Sequence, residues 1–252
     1  MTGLSTSTTH SNWGPLALGL TLGLSLVCST FIGSQAMLTI KREHQTIQVK
    51  GFAEKKFTSN FATWSGTFTT RAPTLLQAYR KLETHREFVI AYLHRFNVPK
   101  EGWEISPATT HPIYSLDQKG RSTNHIEAYS LSQDIQVGSK DINLIEKVAN
   151  NSGDLLNKGV EFSAYRPQYF YTNFEELKVS MLGQATEDAR RRAEELAQGS
   201  GSSIGPLRHA RQGVFQITPA HSTEISDYGR NDTSSREKAI KAVVTISYAI
   251  NQ

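Results

Sequence analysis

The chain has 252 residues, 38% of them hydrophobic and 20% charged, which suits one large globular domain or two modest ones. Its formal charge of +4 is mild over that length, and no Lys/Arg run is interleaved with aromatics, so no nucleic-acid partner is expected. The one cysteine, Cys28, lies in an apolar N-terminal stretch, which excludes disulfides, thiolate metal sites and a Cys nucleophile from the remainder.

Residues 1–40 contain no Lys, Arg, Asp or Glu. After a polar tail over 1–14, the run PLALGLTLGLSLVCSTFI from Pro15 to Ile32 would extend roughly 27 Å as a helix, close to the ~30 Å of a bilayer core. Followed abruptly by KREHQ, it predicts a targeting segment over 15–36. No basic residue precedes it, which favours a retained transmembrane anchor, while Ser34-Gln35-Ala36 fits a cleavage site near Ala36. Lys41 and Arg42 alone would hold the following domain on the cytoplasmic side.

The domain expected over 45–252 opens with TIQVKGFAEKKF and FTSNFATWSGTFTT, two alternating runs that read as a hairpin. Pro73 then marks a helix start. Leu75, Leu76, Tyr79, Leu82, Phe88, Val89, Tyr92, Leu93 and Phe96 recur at three and four spacing, predicting an amphipathic helix from Thr74 to Phe96. WEISPATTHPIYSL and HIEAYSLSQDIQV read as a second strand pair, with Tyr129, Leu131, Ile135 and Val137 on one face. Asp141 is a natural N-cap for the next helix, and Gly153 and Gly159 break that run.

GVEFSAYRPQYFYT reads as one aromatic-rich strand. Tyr165, Tyr169 and Tyr171 fall on one face of it beside Arg166, and they are candidates for a ligand groove or an oligomer contact. The helix from Phe174 to Gln198 follows, with Ala185, Ala189 and Ala193 recurring every four residues as a close-contact row, against its own domain or across a subunit interface. RHARQGVFQIT is expected as one strand, 219–238 as a long mobile loop, and KAIKAVVTISYAI as the closing strand, with Ile240, Ala242, Val244, Ile246, Tyr248 and Ile250 in alternation. Paired strands between helices predict an α+β fold, mostly antiparallel sheet with helices on one face, behind an N-terminal transmembrane or signal helix.

Chemistry is sparse. Gly201, Ser203 and Gly205 spell G-x-S-x-G, yet a nucleophile elbow needs a strand before the Ser and a helix after it. Here a helix comes first, so Gly199 and Gly201 read as its stop. His85 and His94 miss the one-turn spacing of a zinc pair, and the other histidines are scattered. No glycine-rich phosphate cradle is present, and the paired carboxylates of the long helix alternate with basic residues as a solvated face. The expectation is no cofactor, no metal and no catalytic residue.

The N-terminal apolar segment, IQVKGFAEKKF, the middle pair, the helix ATEDARRRAEELAQGSGSSIGPL with Ala185, Ala189, Ala193 and Ala197, and the last strand together resemble the SIMPL-domain family of bacterial envelope proteins over roughly 45–250. The resemblance implies an α+β fold that can oligomerise, with no established enzymatic reaction and a link to stress tolerance. It also implies an inner-membrane protein with its domain in the periplasm, or one secreted there after cleavage. The leading expectation is a non-catalytic, membrane-anchored homo-oligomer or scaffold. The alternatives are a small-ligand module using the Tyr165–Tyr171 groove, its ligand unknown, and a hydrolase using Ser203.

Overall fold

The computed structural model describes residues 22–34, 37, 45–222 and 228–251. The expected span from Pro15 to Ile32 begins outside them: residues 15–21 are not described, and 22–34 are helical (α1). Among the described residues no helix is long and apolar enough to cross a membrane. The rest is mixed α and β, in two compact units. Of the described residues, one comprises those within 1–51, 187–211 and 244–252, the other those within 52–186 and 212–243.

The larger unit is built on strand β2 (Phe61–Ala72), which pairs antiparallel with β5 (Ser122–Ser139) from Ala62↔Ser139 to Ala72↔Tyr129. Period-two alternation puts Ala62, Trp64 and Phe68 of β2, with Leu131, Ile135 and Val137 of β5, on a single buried face. Helices α2 (Leu75–Arg95) and α3 (Ile142–Asn150) pack on these two strands, and their buried residues join the same core. Thr74 caps α2 by accepting from Gln77 N, and Asp141 caps α3 by accepting from Leu144 N at 3.1 Å.

Helix α2 has the expected bounds, but only part of the expected face is buried. Ala78, Leu82, His85, Val89, Tyr92 and Leu93 are buried, whereas Leu75, Leu76, Tyr79 and Phe88 are exposed. Its first two turns therefore present an apolar patch to solvent. The predicted hairpin also does not form. β1 (Thr46–Thr58) belongs with β11 (Glu237–Asn251), while β2 belongs to the other sheet. The chain turns sharply between β1 and β2, where Ser59 N donates to Arg236 O and Asn60 N to Phe170 O. The Asn60 amide gives Nδ2–H to Thr172 Oγ1 and takes Thr172 N–H on Oδ1, locking that corner.

Three runs expected as single strands are each broken. WEISPATTHPIYSL divides into β3 (Trp103–Ile105) and β4 (Thr109–Leu116), both antiparallel to β5. GVEFSAYRPQYFYT divides into β6 (Glu161–Ala164) and β7 (Gln168–Phe170), both paired with β2, because Pro167 has no N–H to give a ladder. RHARQGVFQIT becomes β8 (Ser203–Gln212) and β9 (Gln216–Pro219), with Gly213 N donating to Val243 O between them. In the larger unit β9 pairs antiparallel with the start of β11 and parallel with β10 (Arg230–Asn231), so the region expected as a mobile loop contains a strand. Residues 223–227 of it lie outside the described ones.

In the smaller unit β8 pairs with β11, and Ile250 N reaches Gln45 O at 3.2 Å. Gly205 sits close to this pairing, since a Cβ there would meet Ala249 Cβ at 3.2 Å. Helix α5 (Phe174–Gly199) ends here as the glycines predict. Ser202 N donates to Ala197 O and Gly201 N to Gln198 O, with Gly201 at φ 75, the paired bonds of a left-handed helix stop. The same motif closes α2 at Asn97 and α4 (Gly153–Asn157) at Gly159.

Gly66, on the core face of β2, has no room for a side chain: a Cβ would lie 2.2 Å from the Phe162 ring, itself packed on Trp64. Gly66→Ala is expected to lower stability by about 1–3 kcal/mol through overpacking. Gly183→Ala, in open space within α5, should raise it by roughly 0.5–1 kcal/mol. Urea unfolding of the two variants checks both signs.

Candidate functional site

The broken aromatic strand distributes its candidate residues over two concavities of the larger unit. Tyr169 and Tyr171 line a cleft of about 160 Å³ with Phe57, Phe170, Phe174, Ile217, Asn231, Asp232 and Lys238. Tyr165 and Arg166 line a separate groove of about 330 Å³ with Thr63, Ser65, Gly66, Asp134, Ile135, Gln136 and Gln168. The four do not share one face, because the chain changes direction between β6 and β7. Ala185, Ala189 and Ala193 are each 0% exposed within the single chain. Their close-contact row is occupied inside the monomer and offers no surface to a neighbour.

The cleft is walled by rings and closed by one ion pair. Phe57 and Tyr171 meet edge to face with centroids 5.0 Å apart. Tyr169 is fixed at both ends: its N–H donates to Thr233 O at 2.8 Å and its hydroxyl to Glu146 Oε1 at 3.1 Å. Burial, then the Glu146 charge, raises the Tyr169 phenol above its ordinary pKa. Glu146 in turn pairs with Arg236 at 3.5 Å.

Lys238 and Asp232 are almost wholly buried, at 3% and 7% side-chain exposure. The Lys238 ammonium donates to the Asp232 carbonyl oxygen and to Oδ2 at 3.2 Å. The carboxylate also accepts from Ser234 N at 3.0 Å, Ser234 Oγ at 2.6 Å and Ser235 N at 3.2 Å. Burial by itself would raise this carboxyl; the hydrogen bonds from Ser234, Ser235 and Lys238 outweigh it and hold Asp232 well below the usual carboxylate range. For Lys238 burial dominates, drawing the ammonium below the usual lysine range against the pull of Asp232.

Sequence reasoning missed both residues, because a Lys and an Asp in a polar stretch read as solvated. One signal was present. Lys238 lies in phase with Ile240, Ala242 and Val244, and so on the buried face of β11. Elsewhere His85 is buried on α2, and desolvation lowers its pKa. Among the described residues no group of three His, Cys, Asp or Glu side chains converges as a metal site. Ser203 opens strand β8 after the α5 stop, the reverse of a nucleophile elbow.

A second exposed feature departs from the same sheet. β5 loses its β2 partner beyond Tyr129, so residues 122–128 continue with β4 as an antiparallel ribbon, about 20 Å at ~3.3 Å per residue. No residue of 109–128 is buried. Tyr114 and Ile126 are direct cross-strand partners and Leu116 follows across a bulge; all three are exposed, Leu116 by 67%. At the turn the Asp117 carboxylate accepts from Arg121 N and Lys119 N, and the Arg121 backbone bond leads in lowering its pKa.

A family comparison matches residues 47–248 to SIMPL, described as a protein of unknown function (DUF541). The chain belongs to the SIMPL family. No curated protein matches it. Among solved structures, the crystal structure of an uncharacterized conserved protein from Listeria innocua aligns at 10% identity over 76% of this chain and 92% of that one. The TM-score of that alignment is 0.22.

Within the SIMPL domain the Asp232 pair carries a definite pH dependence. A carboxyl held low in the folded state stabilises above its unfolded pKa of 3.8, and that contribution is lost as pH falls through the lower folded value. Asp232→Asn, which strands the buried Lys238, is expected to cost about 3–5 kcal/mol at pH 7 and to flatten the decline in stability below pH ~4. Urea unfolding at pH 7 and at pH 3 measures both, and an unchanged acid limb would show that other carboxylates cause it.

Proposed function

We propose that this SIMPL protein is a non-catalytic component of the cell envelope, anchored by its apolar N-terminal segment, whose domain lies outside the cytoplasm and binds a second copy of itself. The observation that carries the reading is the β4–β5 ribbon. A two-stranded ribbon is marginal by itself in water, and this one exposes both faces with Tyr114, Leu116 and Ile126 together. Burial against protein supplies what it lacks.

The partner surface is on the same molecule. The ribbon departs where β2 ends at Ala72, three residues before α2 begins with its exposed Leu75, Leu76 and Tyr79. In a two-fold pair the ribbon of each copy covers the α2 patch of the other, so one contact made twice satisfies both apolar surfaces. The small-ligand reading is a second function of the domain, carried by the aromatic cleft. The buried alanine row leaves the ribbon and the α2 patch as the surfaces that support self-association.

Sedimentation of the purified full-length chain in mild detergent should give a dimer or larger species. Leu116→Ser and Leu76→Ser should each shift it to folded monomer with nearly unchanged melting, since both side chains are exposed within one chain. A wild-type monomer, or variants of undiminished mass, would overturn the pairing. The location has its own readout. A reporter active only outside the cytoplasm, fused after Gln252, is expected to give signal, and a cytoplasmic reporter at the same site to stay silent.

A further inference from the structure

We propose that the cleft between β7 and the β9–β10–β11 strands is a binding site for a small aromatic carboxylate, its ring held among Phe57, Tyr171 and Phe174 and its carboxylate on Lys238. The inference goes beyond self-association and uses none of the ribbon or α2 residues.

Three features select the ligand class. The first is volume. At about 160 Å³ the cleft is roughly half the ~300 Å³ at which sites for drug-sized molecules begin, which limits the occupant to a single ring with one substituent. The second is the wall. Phe57, Tyr169, Phe170, Tyr171, Phe174 and Ile217 supply flat apolar surface, and the edge-to-face Phe57–Tyr171 pair leaves a planar guest a ring to stack on.

The third feature is the charge at the polar end. An ammonium has three donors, and among the described residues Lys238 has two acceptors, both on Asp232. The Asp232 carboxylate already accepts from Ser234, Ser235 and Lys238, so it has little capacity left for a cationic guest. A cation would also meet the buried Lys238 charge directly. A plain hydrocarbon would leave the third donor unpaired in a drier site. An anionic acceptor on an aromatic ring satisfies donor, charge and wall together, and the Asn231 amide at the mouth can add a further donor.

The experiment is saturation-transfer NMR on the purified full-length protein with benzoate as the probe and benzylamine as its cationic counterpart of similar size. Benzoate is expected to give transfer that levels off as its concentration is raised, with no comparable signal from benzylamine. Lys238→Met removes the donor but also breaks the Asp232 pair and can unfold the site, so the deciding variant is Asn231→Phe. It keeps Lys238 and Asp232 and fills the exposed mouth of the cleft. Asn231→Phe, still folded by circular dichroism, should bind benzoate at least about tenfold more weakly, a change of ~1.4 kcal/mol. No benzoate transfer up to about 10 mM, a concentration that detects binding weaker than ~4 kcal/mol, would overturn the assignment. Equal transfer from benzylamine, or undiminished benzoate binding in Asn231→Phe, would overturn it as well. Because neither ligand nor variant touches Leu116 or Leu76, failure here leaves the sedimentation result intact.

Discussion

The antiparallel ladder between β2 and β5 is the constraint on which the larger unit depends. Eleven consecutive residue pairs fix which side chains face the helices, and a slip of one residue would put Trp64 and Phe68 on the opposite face of the sheet from Leu131 and Ile135. The rest of that sheet and the helices on it are referred to that register. β6 and β7 attach to the free edge of β2, β3 and β4 to that of β5, and α2 and α3 close the buried face. The absent side chain at Gly66 belongs to the same geometry, since Phe162 must cross β2 there to reach Trp64. Both candidate surfaces follow from where the ladder stops. The cleft forms where β7 meets the Ala62 end, and the ribbon begins where β2 gives out at Ala72.

Much of this order was legible because it is local. A side chain that caps a helix does so from two or three residues away, and Asp141 performs the role its sequence position predicts. Gly201 ends α5 for the same reason: a left-handed residue is required there, and glycine adopts that conformation without strain. Strand partners were not legible. Alternation in β1 and β2 says that each has two faces but not which strand lies beside it, and the short Ser59-Asn60 link resembles a hairpin turn while carrying the chain from one sheet to the other. The patch on α2 was misread on similar grounds. Periodicity put Leu75, Leu76 and Tyr79 on one broad apolar stripe with Leu82 and Val89, and only the burial of Ala78, Leu82 and Val89 shows which part of it meets the sheet.

The candidate site was legible in half. Tyr169 and Tyr171 do line a cleft, as an aromatic-rich strand suggested, but Pro167 parts them from Tyr165 and Arg166. The alanine row shows the reverse difficulty. Small residues at four-residue spacing do mark close approach, and the spacing is silent on whether the approaching surface belongs to the same chain. Here Ala185, Ala189 and Ala193 are fully covered within it.

The Lys238–Asp232 pair gives the cleft its meaning through its energetics. Removing two charges from water carries a desolvation cost that their attraction offsets only with good geometry and further hydrogen bonds, and well-packed apolar residues are often as stable in such a place or more so. Asp232 has that support from Ser234 and Ser235, which also explains how a polar stretch without a core of its own holds a fixed path into β11. Lys238 has less: among the described residues both its acceptors are on Asp232, and burial pulls its pKa down. A structural clamp needs Asp232 satisfied and Lys238 merely paired, and it gives no reason for the five aromatic residues that line the same cleft. A ring-walled cleft with an incompletely satisfied cation at its polar end is the arrangement expected of a site that completes its hydrogen bonding when an anionic guest enters.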